Sequence, residues 1–494
     1  MNMDEKISNS INEMGWKFDN SYMSLPKNFY SEVSPSLVRS PSCVILNKEL
    51  ANELGLDLEK INNADLAMIL SGNRLPNGAQ SIAQAYGGHQ FGYFNILGDG
   101  RAILIGEHIS PCLKRYDIQL KGSGKTPYST RGDGRAAIGP MLREYIISEA
   151  MNFLGIPTTR SLAVVKTGEL VHRETPLPGA ILIRVAKSHI RVGTFEYAAF
   201  LKDKTLLKKL TDYTINRHYK ELFEQKNPYL SFLEKVIDEQ AFLIAKWMNV
   251  GFIHGVMNTD NMSISGETID YGPCAFMDKY DINAIFSSID VNSRYAYGKQ
   301  PQIAQWNLAR FAETLLPLLD HNLEKSIDLA TSLVNSFGEK FNFYWLSGMR
   351  KKLGLFNQEK EDVDLIENLL SWMQKTESDY TNTFRDLTSE VKIHQQTYQS
   401  MEFKAWYHIW QNRLKKNRKS MEDTINLMNA NNPYIIPRNY LVEEALLRVN
   451  DGDLSFIHRL LEALKEPFFE NMQYQDLAIT PKPSKEIYKT FCGT

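Results

Sequence analysis

The pattern of apolar residues changes near residue 195, and this change constrains the fold more than any other feature. Before it, the apolar run 102–105, the alternating stretch 116–120 and the stretches around 161–165 and 180–185 predict strands. A glycine-rich connection then leads to a helix predicted from Pro140 to about Leu154. After residue 195, long segments with helical spacing dominate. The sequence therefore predicts an α+β fold in which a mixed first lobe and a mostly helical second lobe enclose a cleft.

The second part of the chain contains seven stretches with the periodicity of amphipathic helices. They span residues 198–224, 230–250, 303–320, 322–346, 361–376, 380–430 and 440–465. The intervening stretch 261–270 has a different pattern, with two short arms around Ser265-Gly266. We expect that stretch to be a hairpin inserted between helices.

Composition excludes several classes of protein. The 494 residues carry a formal charge of −2 and are 43% hydrophobic, which is typical of a folded protein and not of a globally basic nucleic-acid binder. The four cysteines form no CxxC pair, so no zinc-finger spacing exists. No stretch reaches the roughly 18 apolar residues that cross a bilayer, and the first residues lack the apolar core of a secretory signal. We expect a cytoplasmic protein that binds neither membrane nor nucleic acid.

Two polar motifs lie close together in the middle of the chain. The first runs from His254-Gly255 to Asp260-Asn261, and the second is Asp270-Tyr271-Gly272. They are typical of the catalytic loop and the metal-binding segment of a kinase, with one departure. A kinase places its catalytic aspartate two positions after the histidine, where this chain has Val256.

The predicted hairpin gives these motifs a geometry. A two-residue turn at Ser265-Gly266 would place Asn261 opposite Asp270, with Cβ atoms about 4.5–5.5 Å apart. An amide oxygen and a carboxylate oxygen at that distance suit Mg²⁺ or Mn²⁺ that also holds nucleotide phosphates. The alternative is that both residues are polar groups flanking a turn, but the neighbouring motifs favour the metal.

Basic residues in apolar strands supply candidate phosphate ligands. Lys121 ends the strand near 116–120, and a lysine there could reach a phosphate if a carboxylate held it in place. Glu144 and Glu149 on the following helix are both candidates for that carboxylate, and helical periodicity does not choose between them. Arg184 lies inside an apolar strand and Arg191 follows it, so each could bind phosphate or form a structural ion pair.

A glycine-rich sequence near Lys121 mimics a different nucleotide motif. Residues 122–126 read like the end of a P-loop, but the first glycine of that motif is replaced by Gln119, and glycines soon after residue 126 break the helix it requires. We reject the P-loop interpretation. The successive glycine amides could still contact a phosphate.

Four long stretches resemble the selenoprotein O family, protein adenylyltransferases with a kinase-like fold. They are AQAYGGHQFGYFNILGDGRAILIGE, YDIQLKGSGKTPYSTRGDGRAAIGPMLREYIISEA, ILIRVAKSHIRVGTFEYAA and GVMNTDNMSISGETIDYGPCAFMD. The resemblance is densest from residue 80 to 280 and resumes at 432–439. It implies transfer of AMP from ATP to Ser, Thr or Tyr hydroxyls of proteins, with release of pyrophosphate, by an enzyme that binds ATP in an orientation reversed from that of kinases.

The resemblance also implies roles for individual residues. Asp260 matches the proton acceptor, and Asn261 and Asp270 match the metal ligands. Glu144 matches the ion-pair partner of the lysine. The positions that match nucleotide contacts are Gly98, Gly100, Arg101, Lys121, Asp133, Gly134, Arg184 and Arg191. With ATP reversed, the γ-phosphate would be buried among the basic side chains, and no base would be needed at Val256.

The resemblance divides the chain into four parts. We expect an N-terminal extension at 1–80 packed on the first lobe, a kinase-like first lobe at 81–195, a helical second lobe at 196–430 with the metal-binding hairpin 261–270, and a C-terminal helical segment with a cysteine-containing tail at 431–494. The tail residue Cys492 matches the family's selenocysteine or cysteine, and a disulfide with Cys274 is a hypothesis.

We expect a monomer that acts on protein substrates, uses ATP and Mg²⁺ or Mn²⁺, and could also accept UTP. The alternatives are an atypical kinase that transfers the γ-phosphate and an inactive ATP-binding scaffold.

Overall fold

A nine-stranded antiparallel sheet forms the first part of the structure, a computed structural model that describes residues 14–481. The strand order is β1-β3-β5-β6-β9-β8-β2, with β4 paired to β3 and β7 paired to β9. The strands are β1 Tyr30–Glu32, β2 Ser42–Leu46, β3 Ile82–Gln90, β4 Tyr93–Gly98, β5 Ala102–Ile109, β6 Arg115–Lys121, β7 Ala136–Ala137, β8 Arg160–His172 and β9 Pro176–Ala186. A separate pair joins β10 Phe252–Ile253 to β11 Ala275–Phe276.

The sheet is covered by helices on both faces. Helices α1 Lys48–Leu54 and α2 Asn63–Leu70 cover one face, and α3 Ile138–Phe153 covers the other. Because successive side chains of a strand point to opposite faces, Ile103 belongs to the cluster under α1 and α2 whereas Leu104 belongs to the cluster under α3. The central strands are therefore apolar on both faces over much of their length, with buried polar exceptions such as Asp117 and Gln119 of β6, which explains the apolar runs in the sequence.

The residues before position 80 are more ordered than their polar composition indicates. They contribute helices α1 and α2, and strands β1 and β2 stand at the two ends of the strand order. β1 pairs with β3, and β2 pairs with β8 far along the chain. The N-terminal extension is thus part of the same sheet as the strands that carry the basic residues.

Helices make up most of the chain after residue 190. Their bounds are α4 Val192–Phe200, α5 Lys204–His218, α6 Pro228–Val250, α7 Gln300–Leu319, α8 Leu323–Lys352, α9 Asp362–Thr376, α10 Tyr380–Asp386, α11 Glu390–Ile393, α12 Met401–Lys415, α13 Met421–Asn429, α14 Asn439–Asn450 and α15 Ser455–Leu464. Across residues 14–481, the longest and most apolar helices still fall short of what a membrane span requires.

Three of the predicted helical segments are broken into shorter helices. The segment 198–224 breaks where Lys202 adopts a φ of 55° and the Asp203 side chain caps α5. The segment 380–430 breaks at serine N-caps, because Ser389, Ser400 and Ser420 each accept a hydrogen bond from the backbone of the following helix. The segment 440–465 breaks at Gly452, which has a φ of 85°. The side-chain periodicity continued through these breaks and concealed them.

The predicted hairpin at 261–270 is wrong. Its two arms do not pair with each other, because their backbone groups bond to different neighbours. The Ile264 amide donates to the Ile190 carbonyl at 2.9 Å, whereas the Thr268 amide donates to the Pro157 carbonyl at 2.9 Å. The segment is therefore a loop that links the region before α4 to the region before β8, and cross-strand pairing does not set the relation of Asn261 to Asp270.

Candidate active site

A cavity of about 330 Å³ lies where the sheet meets the loop that follows α6. Strands β3, β5, β6 and β9, helix α3 and the stretch 256–273 all contribute side chains or backbone to its wall. Nine of the residues singled out in the sequence line it: Gly100, Arg101, Lys121, Glu144, Arg184, Arg191, Asp260, Asn261 and Asp270. The two separated halves of the sequence pattern thus converge on one site.

Asp270 is the centre of an ion-pair cluster in this cavity. Its Oδ1 lies 2.9 Å from Lys121 Nζ and 2.5 Å from an Arg184 nitrogen, and its Oδ2 lies 3.1 Å from Arg191 Nη1. Burial alone would raise the pKa of this carboxyl, but the three cations, Arg184 foremost, hold it well below its usual range. Asp270 is therefore an anion that gathers three positive charges, held at a backbone φ of 62°.

Glu144 is the second carboxylate of the cluster. Its Oε2 lies 2.6 Å from Lys121 Nζ and its Oε1 lies 3.3 Å from Arg184 Nη1. The sheet makes this possible, because β6 and β9 are neighbours and Lys121 pairs with Leu182, two residues before Arg184. Three cations facing two carboxylates leave a positive excess, which suits a ligand that carries several negative charges.

The choice between Glu144 and Glu149 is settled by the structure. Glu149, on the same helix, bonds instead to Arg160, with 2.8 Å between Glu149 Oε2 and Arg160 Nη2. It also accepts hydrogen bonds from the Asn47 side chain and the Ser161 backbone. Glu149 therefore fastens α3 to strand β8, whereas Glu144 faces the cavity.

Asp260 lies in the cavity wall beneath the β3–β4 hairpin. Its side chain is 8% exposed, and within the described residues its buried Oδ1 has no hydrogen-bond partner. Burial raises the pKa of Asp260 to about 7, although Arg191 opposes that rise. The approach of the hairpin is close, since a Cβ on Gly88 would stand 2.6 Å from that Oδ1. The unpartnered carboxylate oxygen thus lies against the hairpin backbone, which covers it.

The residues around Asp260 hold its loop in place. The His89 amide donates to Thr259 Oγ1 at 2.6 Å, and the Phe91 amide donates to Asn258 Oδ1 at 3.1 Å. The buried His254 ring hydrogen-bonds through Nε2 to the Ile269 carbonyl at 2.9 Å, which ties the two polar motifs together. His254 is thus structural.

The site has the donor set for a divalent cation. Asn261 Nδ2 donates to the Val256 carbonyl at 2.9 Å, so its Oδ1 is the atom left for a cation. Asp270 Oδ1 already has two cationic donors but Oδ2 has one, which leaves a lone pair on Oδ2. One amide and one carboxylate fit a Mg²⁺-type ion that takes its other ligands from phosphate and water. The described residues contain no cluster of three or more His, Cys, Asp or Glu side chains that would form a cage made by protein alone.

Three of the predicted nucleotide contacts lie outside the cavity wall. Gly98 adopts a φ of 157° and its α-carbon is covered by the Tyr128 ring. Asp133 pairs with Arg173 at 3.0 Å, and Gly134 packs on the Gly124 carbonyl. The structure therefore places these residues in the glycine-rich loops beside the cavity and does not bring them into contact with its interior.

Sequence reasoning missed two charged residues of the wall. Asp99 lines the cavity and its pKa is raised to about 6 by burial; its position between two predicted glycine contacts was an available signal. Arg143 donates to the Cys274 carbonyl at 2.8 Å and to Asn439 Oδ1 at 2.6 Å, joining α3 to the loop after Asp270 and to α14. No local pattern indicated that role. The suggested partner of Cys274, Cys492, lies outside the described residues.

Comparisons with known proteins identify the relatives of this chain. A family model described as "Protein adenylyltransferase SelO" matches residues 13–465. A protein of Nitrosococcus oceani named "Protein nucleotidyltransferase YdiU" is 57% identical over 483 residues, which cover 98% of each chain. A protein of the same name from Bacillus mycoides is 56% identical over 484 residues, covering 98% of this chain and 99% of the relative.

Proposed function

This chain belongs to the SelO family of protein adenylyltransferases, and from that premise we propose how its cavity transfers AMP from ATP to Ser, Thr or Tyr hydroxyls of proteins. It is a nucleotidyltransferase, as its relatives' names state. The observation that carries the proposal is the cluster of Lys121, Arg184 and Arg191 around Asp270, next to a valine where a kinase has its base. Such a cluster favours the most highly charged end of ATP deep in the cavity.

The proposal includes a kinase-like arrangement of two lobes. The sheet with α1 to α3 forms the first lobe, which includes residues 1–80 as an extension and 81–195 as its body; the helices from α4 to α13 form the second, at 196–430, and 431–494 are a C-terminal addition. The position of the cavity between the sheet and the loop that follows α6 supports this division. So does the Lys121–Glu144 pair, which corresponds to the strand lysine and helix glutamate of kinases.

ATP lies reversed in this proposal. Its β- and γ-phosphates bind the three cations, and its α-phosphate faces the open side of the cavity, within reach of Asp260. Gly100 and Arg101 contact the nucleotide from the wall, whereas Gly98, Asp133 and Gly134 act from the neighbouring loops once these close on the ligand. No proton then has to be accepted at position 256, which accounts for a valine where a kinase has its catalytic aspartate.

The transfer itself is a substitution at the α-phosphorus. The hydroxyl oxygen of the protein substrate forms the new P–O bond, the bond between the α-phosphorus and its bridging oxygen to the β-phosphate breaks, and pyrophosphate leaves. The hydroxyl proton passes to Asp260 Oδ1, the oxygen that has no partner among the described residues. Lys121, Arg184 and Arg191 stabilise the charge that develops on pyrophosphate. Asn261 and Asp270 would hold Mg²⁺ or Mn²⁺, which supplies further charge neutralisation of the phosphates when bound.

Labelled nucleotide tests this function directly. We expect protein substrates, or the chain itself, to acquire label from α-labelled ATP and none from γ-labelled ATP, because the γ-phosphate leaves in pyrophosphate. Label from γ alone would instead establish an atypical kinase, and label from neither an inactive scaffold. Running α-labelled UTP in parallel measures whether the enzyme prefers an adenine or a uracil nucleotide. A cytoplasmic location and a monomeric state remain predictions.

The two glutamates of α3 provide a matched pair of variants. We expect Glu144→Gln to lower AMP transfer by about 10- to 100-fold, since Lys121 and Arg184 lose the carboxylate that orients them. Glu149→Gln should lower the melting temperature through the lost Arg160 pair and leave the turnover of the folded enzyme near wild type. Initial rates of label transfer, normalised to folded protein, measure both; equal loss in the two variants would contradict the assignment.

A further inference from the structure

Beside the cavity, the tip of the β3–β4 hairpin contacts Arg294, one of three side chains that form a cationic cluster. We call Arg294, Trp306 and Arg310 the arginine platform. The Arg294 Cζ lies 4.8 Å and the Arg310 Cζ 5.1 Å from the centroid of the Trp306 ring. A Cβ on Gly92, at the hairpin tip, would lie 3.9 Å from the Arg294 guanidinium, so tip and platform are in contact. These two cation–π contacts restrain both guanidinium groups.

The platform carries an uncompensated positive charge. Arg310 pairs with Glu313 at 2.5 Å, but within residues 14–481 no carboxylate lies within ion-pair distance of Arg294. The nearby Asp290 is committed to backbone, since its oxygens accept from the amides of Arg294 at 2.8 Å and Tyr295 at 2.7 Å. Arg294 is half-buried and its Nε has no hydrogen-bond partner among the described residues, so its guanidinium, held without its own counter-ion, is prepared for an external anion.

The platform connects to the catalytic loop through one side chain. Asn258 Oδ1 accepts from the Tyr295 hydroxyl at 2.6 Å and from the Phe91 amide at 3.1 Å. Tyr295 is the residue after Arg294, and Phe91 is the residue before Gly92. The platform and the hairpin tip are therefore both anchored to Asn258, two residues before Asp260. A ligand on the platform would therefore lie beside the place where the acceptor hydroxyl must enter.

We propose, on the basis of the proposed function, that the arginine platform binds an acidic side chain of the protein substrate close to the hydroxyl that receives AMP. A carboxylate can take two hydrogen bonds from a guanidinium, and the stacked Arg294 loses little freedom on binding it. Strand β4 of the hairpin adds two exposed apolar side chains, Tyr93 at 79% and Ile96 at 55%. The platform selects a substrate hydroxyl by the charge of the residues that flank it in the substrate. The cavity cannot make this selection, because it binds ATP.

The inference is tested with three peptides that share one threonine hydroxyl and differ only in flanking residues, which are Glu, Gln or Lys. Wild-type protein should bind and label the Glu peptide about fivefold better than the Gln peptide, the upper range for an exposed ion pair. Arg294→Glu should reverse the order and favour the Lys peptide by a similar factor. Lys209→Glu, the same change of charge at an exposed position of α5, should retain the wild-type order.

Two readouts keep this test separate from the proposed function. Fluorescence anisotropy measures peptide binding without chemistry, and stabilisation by ATP in a thermal shift assay shows that each variant folds. Binding that follows charge while no peptide is labelled would support the platform and refute the transferase. Binding that ignores charge, or an Arg294-dependent affinity for single-stranded RNA without any preference for the Glu peptide, would overturn the platform.

Discussion

Replacing Asp270 by asparagine is expected to lower AMP transfer about 10³-fold, the largest effect of any single change in the site. The neutral amide keeps the shape of the side chain but removes the negative charge that gathers Lys121, Arg184 and Arg191. It also removes the carboxylate ligand of the proposed cation. Initial rates with α-labelled ATP at saturating Mg²⁺ measure the loss.

The same variant has an effect on stability that nucleotide should reverse. Without the carboxylate, Lys121 and Arg184 retain Glu144, whereas Arg191 loses the ion pair it makes among the described residues; loss of one partner from such a network costs about 3–5 kcal/mol. Phosphate oxygens of ATP can replace the missing charge, so ATP should raise the melting temperature of Asp270→Asn more than that of wild type. Full activity in the variant, or an equal thermal response to ATP, would contradict the role given to Asp270.

Replacing Asp260 by asparagine is expected to lower kcat by about 10²- to 10⁴-fold and to leave the affinity for ATP nearly unchanged. The amide cannot take the hydroxyl proton, whereas the cations that bind the phosphates remain in place. Single-turnover labelling gives the chemical step, and a fluorescent ATP analogue gives the affinity. Asp328→Asn, on the exposed side of α8, is the matched control and should behave as wild type.

The competing role for Asp260 is to position the cation through its neighbour Asn261. In that case a high concentration of Mg²⁺ or Mn²⁺ would restore the activity of Asp260→Asn. We expect no such rescue, because a proton acceptor is not replaced by a more fully occupied metal site. Restoration to within about tenfold of wild type would reject the proton-acceptor role.

Local patterns in the sequence predicted much of the sheet and little of its edges. The apolar stretches of β5, β6, β8 and β9 were visible because those strands are buried on both faces, and α3 was predicted to within two residues at its start. Strand β1 is three residues long and pairs with a strand some 50 residues away, so neither periodicity nor length could indicate it. The sequence did not indicate a helix break wherever a serine cap ended one helix and began the next while the apolar spacing continued.

The site was predictable in its residues and not in its geometry. Asn261 and Asp270 do line one cavity, yet the hairpin expected to join them is absent because its backbone partners lie at 190 and 157, outside any local window. The choice of Glu144 over Glu149 came from family resemblance, since both lie on one helix and differ only in which distant strand each one faces. Long-range packing decides which strand each glutamate faces, and this packing cannot be predicted from the local patterns of a single sequence.

The glycine at position 88 has a consequence for the state of the site when no protein substrate is bound. Because Gly88 has no side chain, the hairpin can rest directly on the Asp260 carboxylate and keep bulk water away from it. If Asp260 takes the hydroxyl proton as proposed, the hairpin must move before an acceptor hydroxyl can reach that oxygen. One missing methyl group thus lets the hairpin cover the proposed proton acceptor until a protein substrate arrives.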